Sequence, residues 1–168
     1  MRMTGWTAIT IAMLSAPASH ASETSQAALD KLADTIGYRL RVVDNRPACP
    51  TGIDACFLST IALTLPETLP EALPTKGLSL TFSFVNPLPL VESDIFDHRH
   101  INGDVQQLML KPGVTLRPGA THQIKLWGVG SNFSKAFAMP NAYLVADGVK
   151  PRTISATRPV IDADTGLD

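Results

Sequence analysis

Apolar residues recur with a helical period early in this chain and, from Gly37 onward, mostly with a period of two. Leu29, Leu32, Ala33 and Ile36 fall at i, i+3, i+4 and i+7, which predicts one amphipathic helix. Ser25 is placed to cap it and Gly37 to end it. The pattern then changes. Tyr38, Leu40 and Val42 alternate with Arg39, Arg41 and Val43, a strand stopped by the turn signal Asp44-Asn45-Arg46-Pro47. Phe57 to Leu65 is β-branched and apolar. Leu78, Leu80, Phe82 and Phe84 alternate with Ser79, Thr81 and Ser83, the clearest half-buried strand in the chain. Val105 to Leu110, Val114 to Leu116, His122 to Trp127 and Tyr143 to Val145 follow, with Gly and Pro between them, and Thr153 to Thr157 can pair as an edge strand. Many short strands separated by turns predict an all-β protein, a β-sandwich with a short N-terminal helix.

One interval breaks the rhythm. Leu65-Pro66-Glu67-Thr68-Leu69-Pro70-Glu71-Ala72-Leu73-Pro74 is a small internal repeat whose prolines exclude both helix and central strand. It reads as an extended loop between two strands, with a Pro-rich ligand for a partner module as the other reading.

The ends of the chain set its organisation. Arg2, an uncharged apolar run from Thr7 to Ala18, and the small residues of Ser19-His20-Ala21 together predict an export signal over residues 1–21; cleavage after Ala18 is the alternative. The run is shorter than the roughly 20 residues that a spanning helix requires, so no membrane span is expected after cleavage. The domain then covers residues 22–160, and 161–168 reads as a linker-like tail. The product is expected to be periplasmic or secreted. The net charge is −1, without clusters of Lys and Arg, which argues against nucleic acid or anionic lipid as partner.

Export changes the reading of the two cysteines. Cys49 and Cys56 are a near pair, and in an oxidising compartment such a pair forms a disulfide. A redox motif wants two intervening residues, and a zinc site wants four ligands, which nearby residues do not supply.

Few residues offer catalytic chemistry. The chain holds neither a Gly-x-Ser-x-Gly elbow nor a phosphate-binding loop, and Gly128-Val129-Gly130 alone is weak. Glu92, Asp94 and Asp97 are close enough in sequence for paired-carboxylate chemistry, but three acids in six residues more commonly form a solvated loop. His98 and His100 would share one face of a strand and could meet a metal ion with Asp97 or Asp104; loop hydrogen bonding is the ordinary reading. No catalytic residue, metal or cofactor is therefore expected. Asn132-Phe133-Ser134 matches the glycosylation pattern, which matters only in a eukaryotic secretory pathway. Aromatic rings suit sugar binding, because a flat ring stacks on the apolar face of a pyranose. Trp127, Phe133, Phe137 and Tyr143 are the candidates, with core packing as the other reading of each. Strand alternation puts Trp127 on the Lys125 face, away from Leu126.

Several motifs in order carry a family likeness: Val42-Val43-Asp44-Asn45-Arg46, the cysteine pair, Glu92-Ser93-Asp94-Ile95-Phe96, His100-Ile101-Asn102-Gly103-Asp104, Leu116-Arg117-Pro118-Gly119 and Pro159-Val160-Ile161-Asp162-Ala163-Asp164-Thr165. Together they resemble the N-terminal domain of bacterial chitobiases and β-N-acetylhexosaminidases, over about Leu32 to Asp168. The resemblance implies an immunoglobulin-like sandwich similar to cellulose-binding modules, and a carbohydrate-binding role. In the full enzymes this domain precedes a second small domain and a family 20 (β/α)₈ barrel with an adjacent Asp-Glu pair. The present chain has no Asp-Glu dipeptide, and a barrel takes about 250 residues. Hydrolysis is thus not implied. Pro140-Asn141-Ala142-Tyr143 also departs from the family's Pro-x-Trp-Tyr, with Ala142 in place of the indole.

Two functions follow as expectations. One is a binding module for chitin-like or N-acetylglucosamine-containing glycans, with Trp127 and Tyr143 stacking and Asp97, His98 or Asn102 as polar contacts. The other is a docking or spacer module for a hexosaminidase catalytic domain.

Overall fold

The computed structural model describes residues 18–132 and 142–154. One helix, α1 (Ala18–Thr35), precedes nine strands: β1 (Gly37–Asp44), β2 (Cys56–Thr64), β3 (Ser79–Ser83), β4 (Leu90–Glu92), β5 (Phe96–Asn102), β6 (Val105–Leu110), β7 (Thr121–Val129), β8 (Tyr143–Val145) and β9 (Arg152–Thr153). They form two antiparallel sheets. The first has the order β1-β2-β7-β4 and the second β5-β6-β3-β8-β9, so the chain changes sheet five times. The β-sandwich class expected from the alternating segments is the one observed.

The inner faces supply the core. In the first sheet Leu40, Ile61 and Ile124 stand in one register row, all buried. In the second, Leu108, Leu80 and Leu144 do the same. Between them Phe57 stacks on Phe84 at 6.1 Å, and Phe82 meets Phe84 edge-on at 6.4 Å. Phe57 lies opposite Gly128 on β7, where a Cβ would collide with its ring. Glycine is thus required at position 128 for close approach.

Helix α1 packs its predicted stripe inward: Leu29, Leu32, Ala33 and Ile36 are all buried. It starts earlier than expected, so Ser25 is within the helix and not its cap. No helix breaker lies between Pro17 and Gly37, which explains the extension. Leu32 and Ile36 share a small apolar pocket with Leu63, Leu65, Leu78 and Leu144, so the helix closes one open side of the sandwich. Gln26 fastens it to the β8–β9 connection, its Oε1 accepting from Lys150 N at 2.7 Å and its Nε2 donating to Lys150 O at 3.2 Å. The export signal expected over residues 1–21 lies mostly outside the described residues. No helix among the described residues is long and apolar enough to cross a membrane.

The proline repeat is a strap between β2 and β3. Leu65 is buried and Leu69 and Leu73 pack against the core, while Glu67 and Glu71 are exposed. The four-residue spacing therefore anchors a leucine at each step. Two regions differ from the sequence reading. Val114–Leu116 is not a strand but part of a loop, with Val114 and Leu116 resting on the core. Glu92, Asp97, His98 and His100, whose ordinary reading is a loop, lie in β4 and β5, with Asp94 in the short connection between them. Of the edge strand expected over Thr153–Thr157, Thr153 is in β9; residues 155–168, including 155–157 of that segment and the tail, lie outside the described residues. Cys49 and Cys56 form the expected disulfide, with Cα atoms 5.8 Å apart.

Candidate functional site

Side chains alternate across a strand, so each sheet has an outer face as well as a core face. On the second sheet, two register rows cross the outer face. One runs Asp97, Met109, Ser79, Val145; the other runs Arg99, Gln107, Thr81, Tyr143. Above them lies an open groove of about 480 Å³, lined by Asp97, Arg99, Gln107, Met109, Val145 and Asp147 among others. That size falls within the range of small-molecule sites.

The groove floor is tied by a polar ladder. Arg99 Nη2 donates to Gln107 Oε1 at 2.7 Å, and Gln107 Nε2 donates to Ser79 Oγ at 2.9 Å. This fixes the guanidinium against the floor while using one of its five donors. Asp97 and Asp147 contribute acceptors, and Met109 and Val145 give an apolar strip. Asp147 is set by the turn before β3. Gly77 has a φ of 66°, and a Cβ there would strike the Asp147 carboxylate. The Asp147 amide donates to Lys76 O at 3.0 Å. Tyr143 is half-buried, two residues from Val145 on the same face of β8. Donors, acceptors and an apolar strip beside an aromatic ring suit a neutral, polyhydroxylated ligand better than a strongly charged one.

The sequence-predicted site residues do not form one cluster. Asp97 lines the groove, whereas Tyr143 is not among its lining residues and shares the outer face through the row of Arg99 and Gln107. Trp127 is on the outer face of the other sheet, half-buried, with Leu58 and Leu90 as its register partners. It and Tyr143 therefore face opposite directions and cannot form one stacking platform. The indole Nε1 is enclosed and has no hydrogen-bond partner among the described residues. His98 points between the sheets, where Nε2 meets the Oε1 of buried Gln106 at 2.9 Å, so its ring nitrogen satisfies a core amide. Asn102 is exposed at the end of β5 and is not part of the groove lining. Phe133 and Phe137 lie outside the described residues. Sequence reading missed Arg99, Gln107 and Asp147; for Arg99 the alternation through 97–100 is hidden because both of its sets are polar, and Gln107 and Asp147 join it only through strand pairing.

The other titratable residues have structural partners. His100 Nε2 is 3.0 Å from Gly103 O. Lys125 pairs with Glu92 at 3.2 Å on the outer face of the first sheet. Asp94 meets His122 Nδ1 at 3.1 Å where the chain passes from β4 to β5. Slight burial pushes the Asp94 carboxyl up, but the hydrogen bond and charge of His122, with backbone amides, outweigh this and hold it below its ordinary value. Among the described residues, no group of three or more His, Cys, Asp or Glu gathers to hold a metal ion. The Asn132 side chain is buried, which withdraws the glycosylation acceptor from the surface of the folded domain.

The described residues form a two-sheet sandwich with a side-chain-lined groove on an outer face. Residues 36–166 match the family described as "Putative carbohydrate binding domain", and the chain belongs to that family. It is 24% identical over 149 residues to beta-hexosaminidase B of Pseudoalteromonas piscicida, covering 85% of this chain and 19% of that protein. The chain thus spans about a fifth of the length of the curated relative it matches. Among solved structures, the GH20 exo-β-N-acetylglucosaminidase of Vibrio harveyi in complex with N-acetylglucosamine gives a TM-score of 0.48 at 15% identity, over 74% of this chain and 19% of the other. The chitin-binding domain of Chi18aC from Streptomyces coelicolor gives 0.38 at 14% identity, over 70% and 99%.

Proposed function

We propose that the domain is a non-catalytic binder of chitin-like or N-acetylglucosamine-containing glycans, held in the groove on the outer face of the second sheet. The observation that carries this reading is the Arg99–Gln107–Ser79 ladder, flanked by Asp97, Asp147 and Tyr143. Arg99 and the two carboxylates bond hydroxyl and acetamido groups, while Met109, Val145 and the Tyr143 ring take the apolar face of a pyranose. Family membership and the hexosaminidase relative support the same ligand class. No cofactor is needed for such binding. The domain acts after export, in the periplasm or outside the cell, and the N-terminus of the protein recovered there tests cleavage after Ala21.

Retention on insoluble chitin tests the binding. Wild-type protein is expected to be retained, and Arg99→Ala and Tyr143→Ala to lose retention roughly tenfold each while melting as wild type. Absence of retention by a folded wild type contradicts the proposal. Turnover of a chromogenic N-acetylglucosaminide by the purified chain contradicts its non-catalytic part.

A docking role has one observation in its favour: the matched relative is about five times longer than the matched region. In that reading the domain packs on a hexosaminidase catalytic domain. Stable co-purification with such a domain, together with no retention on chitin, favours it.

A further inference from the structure

On the first sheet, the face that carries Trp127 has a different geometry from the groove. Leu90, Trp127 and Leu58 stand in one register row across β4, β7 and β2. All three are half-buried although they point away from the core. Its apolar part is three strands wide, about 10 Å at the usual strand spacing, and Asp44 of β1 continues the row beside Leu58. The next outward row, about 7 Å along the strands, is polar: Glu92, Lys125, Thr60 and Arg41. Glu92 and Lys125 pair with each other, so much of the row's charge cancels. An apolar strip containing an indole, with hydroxyl, ammonium, guanidinium and carboxylate groups one step away, matches the two kinds of contact a pyranose ring makes.

From this arrangement we infer a second glycan-binding platform on the outer face of the first sheet, centred on Trp127 and independent of the groove. The inference rests on the glycan-binding reading above. It adds a consequence that neither face gives alone. The two outer faces of a sandwich point in opposite directions, so one flat fibril surface cannot occupy both, and the domain bridges two separate glycan chains. A protein occupant fits less well. A stable interface takes about 800 Å² from each partner, whereas a large aromatic side chain buries at most about 250 Å². Three half-buried side chains, with the exposed Val129 beside Trp127 on β7, still fall well short.

The chain has two tryptophans, Trp6 and Trp127, so in the full chain carrying Trp6→Phe the indole emission reports on Trp127 alone. Titration with N-acetylglucosamine trisaccharide is expected to shift that emission, and to do so equally when Arg99→Ala has weakened the groove. Calorimetry is expected to give two trisaccharides per chain, falling to one in Trp127→Ala and one in Arg99→Ala. Lys125→Ala, at an exposed position, is expected to weaken the Trp127 site several-fold and covers the case in which Trp127→Ala does not fold. Wild type is expected to bundle chitin nanofibrils, and each single-site variant to coat them without bundling. One trisaccharide per chain with an unchanged indole spectrum overturns the second platform while leaving the groove standing. Absence of any trisaccharide binding overturns both.

Discussion

The two outer faces of this sandwich arise from the same strand alternation, yet they present different surfaces. The first sheet is dominated by β2 and β7, two nine-residue strands paired in unbroken register from Cys56–Val129 to Thr64–Thr121. Its outer face is an apolar strip beside a polar row. On the second sheet the central strand β3 has five residues, and the segments just beyond its first residue, at Gly77, Pro112 and Asp147, belong to the groove lining. Gly77 lies against the Asp147 side chain there, and with these residues beside the outward Asp97, Arg99, Gln107 and Met109 the same kind of face carries a groove. Alternation determines which side chains point outward. The rim loops determine whether those side chains form a flat surface or a cleft.

The largest expected effect removes the support shared by both faces. Phe57→Ala deletes a fully buried ring that stacks on Phe84 and fills the space left by Gly128. A loss of about 3–5 kcal/mol is expected in urea unfolding, and ligand binding at both faces is expected to disappear with the fold. Opening the disulfide has a smaller and one-sided effect. Cys56 begins β2 in the first sheet, on the far side of the sandwich from the groove. Replacing both Cys49 and Cys56 by Ser is expected to cost about 2–3 kcal/mol by the chain-entropy argument, read as a lower urea midpoint. Trisaccharide affinity at the groove is expected to stay within twofold. A large loss there shows that the two faces are coupled.

The smallest effect concerns the corner between the sheets. Asp94 has its pKa lowered in the folded state, so it contributes stability above the ordinary carboxylate range. That contribution is lost as pH falls below about 4 and through the depressed value. The Asp94 side chain is 65% exposed, and solvent screening keeps the effect below about 1 kcal/mol. Melting curves of Asp94→Asn and wild type are expected to converge at low pH and differ slightly at neutral pH. A constant gap across the range contradicts this assignment.

Much of the architecture was legible from side-chain periodicity. The stripe Leu29, Leu32, Ala33 and Ile36 and the alternation Leu78 to Phe84 both describe elements with one buried face. β5 was not legible, because its outward Asp97 and Arg99 line a groove and its inward His98 satisfies Gln106, so neither set is apolar. Val114 and Leu116 misled for the converse reason: they are apolar and alternate, but they anchor a loop on the core. The candidate site was only partly legible. Asp97 and Tyr143 reach the same outer face through β6 and β3, which join segments more than forty residues apart. Local alternation gave the outward direction of Trp127 but not the sheet to which its strand belongs, and that non-local fact separates it from Tyr143.

The groove as glycan site is tested most directly by an ¹⁵N-resolved NMR titration with N-acetylglucosamine trisaccharide. Backbone signals of Asp97, Arg99, Gln107, Met109, Tyr143 and Asp147 are expected to move together along one saturating curve that Arg99→Ala suppresses. A spectrum in which these residues stay still at millimolar trisaccharide, with the fold intact, contradicts the account.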